Sequence, residues 1–206
     1  MAARRTVTVY SDYKSPYAYL AKDAIYALED LPDVTVEWKP YILNIPLYLG
    51  SAEVDAAGRV LEESRNAHQW RRVRYSYMDC RRQARTQGLV IRGTRKIWDS
   101  TLAAAAMLFA ESIGPNVFRR YHDIVFERFW RRELDIESDT AVAAVLQEAG
   151  VEGAAFRAWA ETGRAEVDRI CRQAEALGVF GVPSFILDGE LFWGREHLPH
   201  IRELLG

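Results

Sequence analysis

The sequence predicts an α/β fold with a large all-helical insertion, and three observations carry that prediction. First, the chain opens as βαβ. Alternation in Val7-Thr8-Val9-Tyr10 marks a strand over 6–11, and an apolar-periodic run from Pro16 to Leu31 marks a helix. A second strand over 34–39 follows the Leu31-Pro32-Asp33 turn. A helix of that length between two strands suits a crossover, so the strands are read as parallel neighbours in one sheet. Second, the chain closes as ββα. Strand 184–188 turns at Asp188-Gly189 into strand 190–193, and a helix follows over 195–205. Third, helical periodicity rules the stretch between these two halves.

The middle elements follow from their own signals. Pro46 and Gly50 break the pattern into a loop from Pro40 to Gly58. Helices are expected over 59–87, 100–113, 115–131, 138–149 and 153–177, the last broken around Gly163. Asp99-Ser100 reads as a cap for the second of these, and Pro115 stands where a helix start tolerates it. Residues 1–58 and 179–206 are thus expected to form one discontinuous domain, with 59–178 as a helical insertion domain.

Composition excludes several classes. The chain carries 27 basic and 29 acidic side chains, a formal charge of −2, so nothing pulls it globally toward nucleic acid or an anionic membrane. No apolar run is long enough to span a bilayer, and Met1-Ala2-Ala3-Arg4-Arg5 runs straight into a strand without an apolar signal region, so a cytoplasmic location is expected. Cys80 and Cys171 belong to no CxxC; they read as buried or half-buried thiols, or as a pair that meets only in the fold. His197 and His200 lie at i, i+3 but lack further converging ligands, so no metal is expected. Charge is unevenly placed: residues 59–96 hold eleven basic and three acidic groups. On that helix Trp70, Val73, Tyr77, Cys80 and Ala84 make an apolar stripe. Beside it Arg71, Arg74, Arg81 and Arg85 make either a solvated face or a positive wall over a carboxylate site.

Two motifs at opposite ends carry the chemistry, Ser15-Pro16-Tyr17-Ala18 and Gly181-Val182-Pro183-Ser184. Ser15 leads off the first strand into a helix, where its hydroxyl caps and Pro16 needs no N–H. Unpaired N–H groups and a partial positive charge at that helix start favour an anion. Together the motifs resemble the active site of thioredoxin-like proteins of the DsbA type, which carry Cys-Pro-x-Cys where this chain has Ser15 to Ala18. With both sulfurs replaced, the chain resembles 2-hydroxychromene-2-carboxylate isomerases and the related kappa-class glutathione transferases.

That resemblance implies a thioredoxin-like fold (βαβ…ββα), DsbA- and kappa-like, with a cis Val182–Pro183 bond and glutathione as the cofactor. It implies that Ser15 donates to the glutathione thiolate and that Val182 and Pro183 hold the cysteinyl unit like an added strand. Phe192-Trp193-Gly194-Arg195-Glu196-His197-Leu198 resembles the segment that holds the γ-glutamyl end, with Glu196 and His197 in place of the family's Asp and Arg. Arg195 is either a carboxylate contact or an exposed first-turn residue. Asn44 would face the glycine end, and Tyr17, Trp98 and Asp99 the substrate, with Asp99 also readable as a plain cap. The implied activity is isomerisation or transfer on a small aromatic enone acid, without nucleic-acid or membrane partners and with a homodimer left open. Two rivals stand beside it. A DsbA-class thiol–disulfide oxidoreductase needs an attacking thiolate that Ser15 and Ala18 lack. A non-catalytic glutathione- or peptide-binding scaffold is left open by Glu196 and His197.

Overall fold

The computed structural model describes residues 4–206, so Met1, Ala2 and Ala3 of the N-terminal segment lie outside the described residues. A four-stranded sheet runs in the order β2-β1-β5-β6, built from β1 (Arg5–Ser11), β2 (Val34–Pro40), β5 (Ser184–Leu187) and β6 (Glu190–Trp193). β1 pairs with β2 in parallel and with β5 antiparallel, and β5 and β6 form a hairpin. The mixed sheet with its βαβ and ββα halves is a thioredoxin fold.

Helix α1 (Pro16–Tyr26) stops five residues short of the expected Leu31. Beyond Tyr26 the chain tightens into i→i−3 bonds, Leu28 N to Ile25 O and Glu29 N to Tyr26 O, and Leu28 is buried. Leu31 precedes Pro32, which disfavours the helical region there.

The expected helix start at residue 59 is a second correction. The chain first forms the short helix α2 (Ile45–Leu49) and then a hairpin of β3 (Ala52–Val54) and β4 (Val60–Glu63). Asp55 shapes the hairpin turn by accepting the N–H groups of Ala57 and Arg59. Only then does α3 (Ala67–Thr86) begin, at a capping box in which Asn66 Oδ1 accepts from Gln69 N and Gln69 Oε1 accepts from Asn66 N, both at 2.9 Å.

The remaining helices are α4 (Thr101–Ile113), α5 (Pro115–Trp130), α6 (Asp139–Ala149), α7 (Gly153–Ala176) and α8 (Leu198–Leu205), the last preceded by a 3₁₀ turn over Arg195–His197. No break occurs at Gly163. A Cβ there would stand 2.3 Å from the Trp159 ring, so the glycine makes room for that indole, whose centroid lies 5.4 Å from that of Phe109 on α4. The run Ala103 to Ala106 of α4 is buried and its small side chains bring neighbouring helices close; Tyr121 of α5 donates to Ala103 O at 2.9 Å. Sheet residues such as Val7, Val9 and Phe185 join these helices in one continuous core.

That core keeps several acids neutral. Burial pushes the Cys80 thiol up to about 11 and the phenols of Tyr13, Tyr121 and Tyr26 far above their usual value, Asp123 adding to the last. The native state therefore binds more protons than the unfolded chain once pH exceeds the ordinary values of 9.0 and 10.0. Stability should be full below those values and decline as pH rises through them. Thermal melts should show a level Tm up to about pH 9 and a steady fall from there to about pH 11. A flat Tm across that range would contradict this burial.

Candidate active site

Four chain segments converge at the C-terminal end of β1. Beyond Ser11 the chain makes a tight turn in which Ser15 N donates to Asp12 O at 3.0 Å. Ser15 is extended (φ −92°, ψ 115°), and its Oγ accepts from Ala18 N at 3.3 Å, capping α1 with Pro16 in the first turn. The same hydroxyl donates to Val182 O at 3.4 Å, joining sites 167 residues apart in sequence. The Val182–Pro183 peptide is cis. Among the described residues no acceptor takes the Val182 N–H. The loop before it is shaped by glycine: a Cβ on Gly181 would meet Trp193 Nε1 at 2.5 Å.

A cavity of about 650 Å³ opens over this point, of a size and apolar character suited to a small molecule. Ser15, Val182, Asn44, Tyr17 and Trp98 all line it. Pro183, Arg195, Glu196 and Asp99 do not. The wall ends at Trp193, and the Glu196 carboxylate folds back over Gly194, where a Cβ would lie 2.3 Å from Oε2. Arg195 lies near enough to Cys80 of α3 to be felt by its thiol. Asp99 is exposed; its Oδ1 accepts from Thr101 N at 2.9 Å and from the Thr101 hydroxyl at 2.6 Å. Burial would raise the Asp99 carboxyl, but these Thr101 bonds, with Lys14 and Arg164 nearby, hold it below its ordinary value.

Basic residues outnumber acidic ones along the cavity. Lys14, Arg65, Arg72 and Lys96 line it against one acidic residue, Glu175. Lys96 pairs with Glu137 at 2.5 Å and sits 4.4 Å from the centre of the Trp98 ring. Arg65 donates to Leu49 O at 3.1 Å, and burial lowers its guanidinium pKa. Arg72 is exposed and pairs with no carboxylate among the described residues. The stripe Arg71, Arg74, Arg81 and Arg85 is exposed and contributes nothing to the lining, so the positive wall is made by its neighbours Arg65 and Arg72. Burial pushes the Tyr48 phenol up to about 12, with Asp12 and Tyr41 adding to the rise, and pushes the Tyr17 phenol higher still.

Two further residues, Asp12 and Lys14, escaped the sequence reading, and a third, Ser100, was read only as part of a cap. Asp12, Lys14 and Ser100 are 3%, 6% and 0% exposed. Lys14 Nζ lies 3.3 Å from Asp12 Oδ2 and donates to Ser100 Oγ at 3.2 Å, while Ser100 Oγ donates to Asp12 Oδ1 at 2.6 Å. Asp12 also accepts Leu43 N at 2.8 Å and Lys14 N at 3.1 Å. Ser100, read as a helix cap, makes no side-chain cap bond at all. An acid and a base two residues apart, in an otherwise apolar strand end before Ser-Pro, are the signal that was available. Asp12 makes no bond to Ser15 Oγ, whose partner is a carbonyl, so Ser15 has the contacts of a donor and not of a base-activated nucleophile.

Both cysteines are free, Cys80 buried and Cys171 half-buried, with the Cys171 sulfur accepting from Ile42 N at 3.4 Å. Among the described residues no cluster of three His, Cys, Asp or Glu side chains could hold a metal, and no helix is long and apolar enough to cross a membrane.

Comparison with known proteins agrees with the fold. The model of the DSBA-like thioredoxin domain matches residues 6–206, and the chain belongs to that family. Within it, the chain is similar to 2-hydroxychromene-2-carboxylate isomerase of Sphingobium xenophagum, 23% identical over 203 residues, covering 98% of each protein. The solved structure of a 2-hydroxychromene-2-carboxylate isomerase superposes with a TM-score of 0.73 at 21% identity, over 98% of this chain and 94% of the other. A cytosolic disulfide reductase, DsbM of Pseudomonas aeruginosa with GSH, gives 0.63 at 20% identity over 97% of this chain and 96% of its own.

The Cys80 thiol, buried and raised, should be inert in the native protein. At pH 8 a thiol ionising near 11 holds about a hundredth of the thiolate of one ionising near 9. Iodoacetamide followed by mass spectrometry should modify Cys80 at least about a hundredfold more slowly than the unfolded chain. Equal rates would show that the thiol is open to solvent.

Proposed function

We propose that the protein is a glutathione-dependent isomerase or transferase of the 2-hydroxychromene-2-carboxylate isomerase type, acting on a small aromatic enone acid. One observation carries the reading: the Ser15 hydroxyl, at the start of α1, is bonded to the Val182 carbonyl on the floor of a cation-lined cavity, and neither Ser15 nor Ala18 offers a sulfur. The fit to glutathione is supported by the Val182 N–H, unpartnered among the described residues, which suits an extended peptide, and by Arg65 and Arg72 in the lining, which suit a ligand with two carboxylates. Bound there, glutathione would supply the thiol nucleophile that opens a conjugated double bond to rotation and is afterwards eliminated.

The chain's own residues do the rest. Ser15 turns its hydroxyl from Val182 O toward the ligand's sulfur, and the α1 N-terminus favours the charged form of that sulfur. Val182, set by the cis Pro183 behind it, holds the cysteinyl unit and Asn44 the glycine end, while Arg195 and Glu196, outside the lining beyond Trp193, meet the γ-glutamyl end where it leaves the cavity. Arg72, exposed and without a carboxylate partner among the described residues, receives the substrate carboxylate, while Tyr17 and Trp98 flank its ring. The stretch 59–178, as an insertion on the thioredoxin frame that opens with β4 and is helical from α3 on, furnishes the arginine side of the cavity.

Ser15→Ala should raise the pKa of bound glutathione, read by thiolate absorbance in the ultraviolet, and slow isomerisation about ten- to a hundredfold with little change in affinity, as expected for one charge-assisted hydrogen bond. Equal thiol pKa values in the two proteins would remove the role given to this serine. Failure to bind millimolar glutathione would leave only a scaffold. A second expectation concerns redox chemistry: without glutathione the protein should neither reduce insulin nor oxidise a reduced test protein. Redox activity of the natural protein that is lost in the Cys80→Ser/Cys171→Ser double variant would contradict the exclusion of the protein's own thiols from the chemistry.

A further inference from the structure

The buried trio, of which Lys14 alone lines the cavity, has no part in the chemistry described so far, yet Asp12 and Lys14 stand just before Ser15 in the chain. Every partner of Asp12 is a donor, as an ionised carboxylate requires: Ser100 Oγ, Leu43 N, Lys14 N and the Lys14 ammonium. A carboxylate enclosed three residues before Ser15 would oppose any anion placed there. Its field would work against the helix N-terminus, since a buried like charge raises a neighbouring acid.

We infer that Lys14 is a positioning residue for the thiol site: clamped between Asp12 and Ser100, its ammonium cancels the Asp12 carboxylate and leaves the α1 N-terminus as the field an anion at Ser15 meets. The inference rests on reading the Ser15 end as a thiolate site. Geometry favours this role over a substrate anchor. The Lys14 side chain is only 4% exposed, and two protein oxygens hold its nitrogen, at 3.2 and 3.3 Å. The other ionisable groups facing the pair are Tyr13 on the same turn, Tyr48 of α2, Cys171 of α7 and Asp99 ahead of α4. The first three are neutral acids kept so by burial, and Asp99 is exposed and held by Thr101. Lys14 is therefore the charge that balances Asp12 at close range.

The test uses a thiol of the protein itself, so that it does not depend on glutathione. Ser15→Cys, made with Cys80 and Cys171 replaced by serine, introduces that thiol at the start of α1, and its thiolate absorbance is followed against pH. In this background Lys14→Met should raise the pKa of the introduced thiol by about one unit, and Asp12→Asn should lower it by about one unit. The double variant Asp12→Asn/Lys14→Met should return it to the starting value. If Lys14→Met fails to fold, the Asp12→Asn fall and its reversal in the double variant decide the matter alone. Unchanged values in Asp12→Asn and in the double variant would overturn the inference and reduce the trio to a structural clasp. Failure of the natural protein to bind glutathione would remove the proposed function while leaving these pKa values as decisive as before.

Discussion

The Asp12 carboxylate is the point on which the site's geometry depends. Its two oxygens fasten the turn after β1, the segment leading into α2 through Leu43, and the segment leading into α4 through Ser100. Those three segments are walls of one cavity, and they come from widely separated parts of the chain. A buried carboxylate with no cation beside it would be costly, and breaking such a pair typically destabilises by about 3–5 kcal/mol. Lys14 removes that cost from within the same turn. Ser15 is thereby held rigidly at the helix start by its own backbone bond to Asp12 O.

On this frame the chemistry is decided by what the helix start presents. The thioredoxin arrangement places a helix N-terminus against a backbone segment of the distant hairpin, and here Ser15 Oγ and Val182 O meet across that junction. A cysteine in the place of Ser15 would bring the thiolate with the protein; a serine leaves a donor and an empty share of positive field. The proposed loan of a thiol from glutathione fits that difference. The lining fits it too, because Arg65 and Arg72 arrive on the segment between β4 and α3 and on α3 itself, facing an otherwise apolar chamber.

Much of this was legible in the sequence because it rested on local signals. Alternation marked β1, β2 and the final hairpin, and Ser-Pro after a strand marked the start of α1. The parts that escaped depend on contacts far apart in the chain. Asp55 and the Asn66 to Gln69 box are local signals that were simply overridden by the apolar periodicity beyond them, so β3 was read as part of a loop and β4 as the start of a helix. Gly163 looked like a break, but its meaning lay in Trp159 one turn away. Ser100 looked like a cap because its partner, Asp12, lies 88 residues earlier. Of the two readings of the arginine stripe the structure shows the solvated face, and the arginine that lines the cavity, Arg72, lay outside the stripe, since only the position of α2 beside α3 decides that it looks inward. For Arg195 and Glu196 the resemblance named a segment whose place beside the cavity comes from the turn at Gly194, where a positive φ of 106° suits glycine.

A crystal structure of the protein grown with glutathione tests the central claim most directly, because sulfur is the strongest scatterer in the ligand. The account predicts the sulfur within hydrogen-bonding distance of Ser15 Oγ and the cysteinyl backbone paired with Val182. A glutathione bound with its sulfur away from Ser15, or a cavity that stays without peptide density at millimolar glutathione, would contradict it.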